Sequence, residues 1–525
     1  MSNPAQARSG STSTTRPPAP SLFERYALAG TAAFAFLWVL ARAAVQSITI
    51  DEADTYLVYA GRPAPSHWEA AANNHVLNSL LMRLSTLLFG VSGFTVRLPA
   101  LLGAAIYIAS ALALANLLPA GRWLRWCLLV CLTCNPFVMD YLVAARGYSL
   151  ALGFFLAAIA LAARPLGAQP EALYHRSALC SLCAGLSFAA NFSFALADAT
   201  VLLLSVLWLQ LRSAPPADSP RRKFELYSRL CAASALPGTA AALLLTESAL
   251  RNWSRANFIF GATSLNQTIH SVIASSLFRP NPYLLSPDVY RIFAWGAPRL
   301  FPLLGITCAL RLAAFALPYP KSSSAGSRLA VHLAWLAGAS VFLLLGLHRL
   351  LYGIKQIYMP LERTAVFFAP LVVLFACALA AVPAPTRLAN AARRFLLAAV
   401  TAMSLYFLGC FRLTYFRDWE FDADVKHLYS VLAWYHRTYG LNDICSNWRY
   451  AASLNFYRAA GWEPIPEIAP KPWIDADYPP GRQIYVIFRP FGQTFIDREH
   501  LTVVYADAES GAAVAIPPEL LTRHP

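Results

Sequence analysis

Long apolar runs separated by short polar connectors recur from Ala27 to Phe411. They predict membrane helices at Ala27–Val45, Leu98–Leu118, Trp123–Met139, Tyr148–Ala163, Ser177–Ala190, Phe194–Leu211 and Leu230–Leu245. Further runs follow at Ile292–Phe315, Leu329–Leu347, Ala365–Val382 and Phe395–Phe411, making about eleven spans of the kind that cross hydrocarbon. Between His75 and Phe89, residues Leu77, Leu80, Leu81, Leu84, Leu87 and Leu88 repeat at helical spacing. A helix of this length reaches only about 22 Å, too short to cross but suited to lying in the interface. One outer connector, Ser248–Arg291, is long and of mixed polarity, which suits a lid or a substrate loop, and another, His348–Thr364, is dense in cations. Beyond Phe411 the pattern changes. DWEFDADVKHLYSVLAWYHRTYG and YAASLNFYRAAG read as helices, and DICSNW, IYVIFRP, LTVVYAD and AAVAIP as strands.

The expected architecture is an all-α polytopic membrane protein with outer-face interfacial helices and a small C-terminal α/β domain. Residues 1–26, polar and rich in Pro and Ser, read as a disordered cytoplasmic tail. Residues 27–412 read as the transmembrane domain, with a first outer loop at 48–97 and a long outer loop at 248–291, and residues 413–525 as an outward-facing soluble domain. Composition agrees: 57% of residues are hydrophobic, only 13% charged, and the mean hydropathy is +0.47. A barrel is excluded by the absence of alternating apolar and polar residues.

The net charge of +15 changes the picture only through its distribution. From Leu413 onward there are 10 basic and 14 acidic residues, so the excess of cations belongs to the membrane loops. Nucleic acid is therefore not an expected partner. With the N-terminus inside, every inner loop carries at least two cations, and nine of the 13 acids before Leu413 lie on outer loops or outer helix ends. The expected localisation is a bacterial-type plasma membrane, N-terminus cytoplasmic, C-terminal domain outside. The ten cysteines include a CxxC at Cys180 and Cys183, but these lie in an apolar run and read as buried small hydrophobes.

Acids are scarce, yet Asp51, Glu52 and Asp54 fall together where the first span leaves the membrane. Charged groups in such a place are costly unless they have partners or work. Asp140 and Arg146 mark a second outer turn, either as substrate contacts or as an ion pair with each other. Asp198 lies inside a span, facing either a sugar hydroxyl or Arg42. His75, with Asn74 and Asn78, opens the interfacial helix. Arg363, Lys355, Arg146 and Arg291 are the candidate phosphate-binding cations, with Arg279 behind them, and the alternative for each is a cation snorkelling to the interface. Asp54 reads as a cap or a solvated acid, and Trp253 and Tyr283 as aromatic surfaces for a sugar. The chain has no G-x-G-x-x-G or P-loop for a nucleotide. An outward site lacks nucleotide sugars, so a donor must arrive anchored in the membrane, with its phosphate as the leaving group. Chemistry then needs a base for the acceptor hydroxyl and cations for the departing phosphate. His67 and His75 with the first-loop acids could hold a divalent cation, but their spacing is unlike a zinc signature and no metal is expected.

IDEADTY, NNHVLNSLLMRLSTLLFGVSGFTVRLPALL, NPFVMDYLVAARGYSLALGF and YMPLERTAVFFAPLVVL occur in this order. Together they resemble the C-type integral-membrane glycosyltransferases, in the protein O-mannosyltransferase and aminoarabinose-transferase-like branch. The resemblance covers most of the membrane part and little of the C-terminal domain. It implies an inverting transfer of a sugar from a polyprenyl-phosphate carrier to a hydroxyl of a cell-envelope lipid, glycan or protein. It implies Asp51 as base with Glu52 as its alternate, Asp140 as a second outer acid, and Arg363 on the donor phosphate. It also implies Asn74, His75, Asn78 and Asp198 as residues lining the substrate. Two other readings remain at this point: a transporter or flippase of lipid-linked sugars, and a non-catalytic envelope-assembly protein.

Overall fold

The computed structural model describes residues 21–63, 69, 71, 74–164, 170–212, 220–251, 260–316, 325–382, 386–469 and 478–522. The expectations for His67 and Trp253, and for most of the N-terminal tail, lie outside these residues. The first helix, α1 (Leu22–Val45), begins earlier than the expected boundary at residue 27. Ser21 and Glu24 form a capping box that satisfies its free amides and sets its start.

After α1 the acidic stretch is itself helical, as α2 (Ile50–Asp54), continued by a π-helical turn over Thr55–Ala60. The helix expected to lie in the interface is α3 (Val76–Phe89). Leu84, Leu87, Leu88 and Phe89 point outward, while Asn78, Ser79, Ser85 and Thr86 face the protein. This reverses the pattern of a helix on a water-soluble core and suits a face meant for lipid. Then come α4 (Leu98–Leu117), α5 (Arg122–Thr133), α6 (Pro136–Val143), α7 (Tyr148–Ala163), α8 (Pro170–Ala190) and α9 (Ala195–Arg212). The remaining membrane-part helices are α10 (Pro220–Arg251), α11 (Leu265–Ser276), α12 (Pro287–Ala316), α13 (Ala325–Lys355), α14 (Phe368–Ala381) and α15 (Arg387–Leu408).

Each of the eleven apolar segments is thus helical, and six helices among the described residues are long and apolar enough to cross a membrane. A seventh is added if α5 and α6 count as one bent span. The segment expected as Trp123–Met139 is broken by 52°, because Asn135 caps a new helix and Pro136 takes its first position. The chain is a polytopic, predominantly helical membrane protein. α4 and α7 cross so closely that a Cβ on Gly153 would strike the Gly103 carbonyl, a small-residue contact that lets helix backbones touch.

The C-terminal residues form a four-stranded sheet in the order β1-β2-β4-β3, built from β1 (Ile444–Ser446), β2 (Ile484–Phe488), β3 (Thr502–Ala506) and β4 (Ala512–Ile516). β1 runs parallel to β2, while β2 and β3 run antiparallel to β4. Its helices are α16 (Val425–Tyr439), α17 (Trp448–Ala459), α18 (Arg489–Arg498) and the short α19 (Pro518–Leu521). Alternation along β2 sends Ile484 and Val486 to one face and Tyr485 and Ile487 to the other. The first face, with Leu428, Leu432, Tyr450 and Leu454, shares one core with Ile48, Ala53, Met82 and Val96 of the segment between α1 and α4. The sheet therefore braces the acidic stretch rather than hanging free of it.

Candidate active site

Three segments meet beside the acidic stretch. Thr49 and Glu52 form a capping box that starts α2 and fixes the direction of Asp51. Asp422, from the strap between α15 and α16, accepts the Ile50 amide at 2.8 Å, and the Tyr457 hydroxyl accepts the Ile48 amide at 2.9 Å. Burial lifts the Asp422 carboxyl well above the usual range, and it also accepts from Ser453. The turn between α6 and α7 supplies Arg146. Gly147 follows it at φ 74°, where a Cβ would lie 2.8 Å from that of His75 and press into the Ala190 carbonyl oxygen. The third segment is a 3₁₀ turn at Glu362–Ala365, entered through Glu362 at φ 47°, a costly conformation for a residue with a side chain. It presents Arg363.

These elements bring Asp51, Arg146 and Arg363 together. Arg363 Nη1 donates to Asp51 Oδ2 at 2.8 Å, and Arg146 Nε lies 3.7 Å from the same oxygen. Arg146 is itself held by the Asp51 carbonyl at 3.1 Å and by Thr55 Oγ1 at 2.8 Å. The Asp51 side chain is 16% exposed and that of Arg363 28%, so the pair is partly accessible. Phe260 lies beneath the Arg363 guanidinium at 5.2 Å. Asp54, one turn along α2, is pushed up to about 6 by burial and by the neighbouring Asp51. His75 caps α3, its ring 5.4 Å from that of Tyr148 and its Nδ1 without a hydrogen-bond partner. Burial, then Arg146 and Arg363, holds it well below the ordinary imidazole value, hence neutral.

The other candidates stand elsewhere. Glu52 is fully buried: Oε1 accepts from Arg97 Nε and the Ala145 amide, each at 2.8 Å, and Oε2 from Arg97 Nη2 at 2.7 Å and the Thr49 amide at 2.9 Å. With its acceptor positions filled, it has no oxygen to offer an acceptor hydroxyl. Arg97 spends its other protons on the carbonyls of Ala43, Gln46 and Ser47, closing the end of α1. Asp140 is buried between Arg42, at 2.7 Å, and Arg412, and also accepts the Arg417 amide. It therefore pairs neither with Arg146 nor with open space, and Arg42 is not the partner of Asp198. Asp198 is buried in the first turn of α9. Lys355 is exposed at the end of α13, and Arg291 pairs with Asp288 on an exposed face of α12. Arg279 joins Glu420 and Glu509. Asn74 Nδ2 donates to the Glu69 carbonyl and its Oδ1 accepts from Ser79, while Asn78 donates to the Ala145 carbonyl, so both hold the loop. Tyr283 is exposed.

Sequence reasoning missed Asp418 and Tyr141. The Tyr141 hydroxyl donates to Asp418 at 2.5 Å, and both lie within electrostatic reach of Arg363. Arg417 links Asp418 to Ser275 of α11. The charged strap RLTYFRDWEFD after the last apolar run was the available signal.

An apolar cavity of about 620 Å³ lies between α11, α12, α13, α14 and α15, lined by Thr268, Val272, Leu300, Val341, Val372 and Phe407 among others. Its α11 wall is tied to the arginine turn, because Ser271 accepts the Glu362 amide at 3.1 Å. Among the described residues no three His, Cys, Asp or Glu side chains cluster to hold a metal ion. The position between Asp51 and His75 also carries two guanidinium groups, which repel a cation.

No family model matches the chain, and no curated protein matches it. Among solved structures it is similar to ArnT from Cupriavidus metallidurans in the apo state, at 13% identity and TM-score 0.40, over 94% of this chain and 98% of that one. The same protein bound to undecaprenyl phosphate aligns at 13% identity and TM-score 0.38, over 93% and 97%. The arabinofuranosyltransferase AftD from Mycobacteria aligns at 17% identity and TM-score 0.41, over 82% of this chain and 31% of that chain.

Proposed function

We propose that the chain is an inverting glycosyltransferase of the C-type membrane fold, moving a sugar from a polyprenyl-phosphate donor to a hydroxyl of a cell-envelope lipid, glycan or protein. In this reading all eleven apolar helices cross the membrane, the N-terminus is cytoplasmic, and the cluster and the C-terminal sheet face outward. The observation that carries it is one partly exposed carboxylate, Asp51, set against two arginines, with the turn that presents Arg363 tied through Ser271 to the α11 wall of a large apolar cavity. A lipid-linked phosphate needs both halves: hydrocarbon space for its chain, and guanidinium forks for its head.

The acceptor oxygen attacks the anomeric carbon from the face opposite the phosphate and gives its proton to Asp51. The carbon–oxygen bond to phosphate breaks, and its electron pair stays on the phosphate, where Arg363 and Arg146 stabilise the added charge. Glu52 and Asp140 act as clamps: the first holds α2 to the end of α1, the second holds α6 to the strap after α15. His75, neutral and with Nδ1 unpartnered, is a hydrogen-bonding group for the sugar or phosphate. The strap and α17 fix the start of α2 through Asp422 and Tyr457, and the outer surface of the C-terminal sheet is where an acceptor is selected.

The test is to give the purified protein a panel of polyprenyl-phosphate sugars with envelope extract and follow the loss of sugar from the carrier. Consumption of a donor with a labelled acceptor supports the reading. Movement of intact carrier across a vesicle membrane, with no sugar released, replaces it with the transporter.

A further inference from the structure

The arginines that the proposed donor would use are already occupied by an anion, and that anion is the proposed base. Asp51 Oδ2 accepts a hydrogen bond from Arg363 Nη1 at 2.8 Å and faces Arg146 Nε at 3.7 Å. We propose that the Asp51 carboxylate is a placeholder for the donor phosphate. On binding, the phosphate takes the Arg363 fork and the face of Arg146, and the displaced carboxylate turns to the acceptor hydroxyl. The proposal rests on the glycosyltransferase reading and adds an order to it: the base is released only when the donor is in place.

Three features support an exchange over permanent pairing. Asp51 and Arg363 are partly open, at 16% and 28% side-chain exposure, whereas the neighbouring Glu52 of α2 is wholly enclosed with Arg97. Arg146 is pinned by the Asp51 carbonyl and Thr55 rather than by the carboxylate, so it keeps its place when the side chain leaves. The charges also balance. Before transfer, two guanidinium groups face one carboxylate and one phosphodiester anion. After it, the proton is on Asp51 and the same two cations face a monoester dianion. The local charge is unchanged across the step, so no charge is stranded in a half-buried site.

The experiment compares wild type, Asp51→Asn and Arg363→Gln in detergent, titrated with undecaprenyl phosphate, with thermal midpoints taken alongside. Removing the competing carboxylate should tighten binding by about tenfold, the scale of one charge-assisted hydrogen bond, and Arg363→Gln should weaken it comparably. If Arg363→Gln weakens binding and Asp51→Asn leaves it equal or weaker, the exchange is wrong while the phosphate site stands. If wild type does not bind the lipid, or Arg363→Gln binds it unchanged, both fall. A measurement on the wild type guards against a variant that does not fold. Carbodiimide labelling of Asp51, read by mass spectrometry, should rise when undecaprenyl phosphate is added; an unchanged or lower yield overturns the exchange.

Discussion

Replacing Glu52 with Gln changes one oxygen to an NH₂ group in a site with no room for another donor. Oε1 receives protons from Arg97 Nε and the Ala145 amide, and Oε2 from Arg97 Nη2 and the Thr49 amide. Either amide orientation therefore sets a donor against two donors, and Arg97 loses its counter-ion in a fully buried position. Breaking a buried pair from one side costs about 3–5 kcal/mol. The three carbonyls that Arg97 keeps place Glu52→Gln at the low end, about 3 kcal/mol, still a large part of the about 5–15 kcal/mol that holds a typical domain folded. The assay is unfolding of wild type and variant in the same detergent, by intrinsic fluorescence against temperature and denaturant, beside transfer activity below the variant's midpoint. The midpoint should drop by several degrees, and the protein that remains folded should keep appreciable turnover. A variant as stable as wild type but without turnover would refute the clamp and return Glu52 to the chemistry.

Asp140→Asn leaves Arg42 and Arg412 facing each other without an anion, so limited proteolysis should cut the strap after α15 faster and stability should fall by about 3–5 kcal/mol. Gly147→Ala strains a positive φ and drives a methyl against Ala190 and His75; it should lower expression and thermal stability by more than about 1 kcal/mol, readable by fluorescence-detected size exclusion. Asp54 titrates at about 6 in the fold, above its unfolded value, so the folded protein binds that proton more tightly. Its stabilising contribution is full below the unfolded pKa and is lost as pH rises through about 6. The unfolding midpoint of wild type relative to Asp54→Asn should accordingly decline between about pH 4 and about pH 7, and a constant difference would contradict this.

The helices of the membrane part were legible because apolar length is a direct consequence of hydrocarbon thickness, and the strands because Ile484–Phe488 and Ala512–Ile516 are apolar runs bounded by turns. The break at Asn135–Pro136 was written in the sequence as a cap followed by a proline, but the apolar run around it concealed the bend. Of the site, Asp51, Arg146 and Arg363 were legible as charges in connectors between apolar runs, while their meeting depends on chain folding over more than 300 positions. Which acids are free and which are clamped was not legible. Asp51 and Glu52 are adjacent, yet helical geometry turns one to the opening and the other to Arg97. Thr49 three residues before Glu52 is a capping-box spacing and was the one local hint of this split. Asp418 was hidden because its importance comes from Tyr141, far away in the chain.

The central claim is that the Asp51 cluster is the transfer centre, and single-turnover transfer tests it most directly. Wild type and Asp51→Asn, matched for folded fraction, would be preloaded with a labelled polyprenyl-phosphate sugar and mixed with acceptor. The account predicts at least about a hundredfold slower sugar transfer in Asp51→Asn, the scale of a lost general base, with the donor still bound. Equal rates in the two proteins would contradict it.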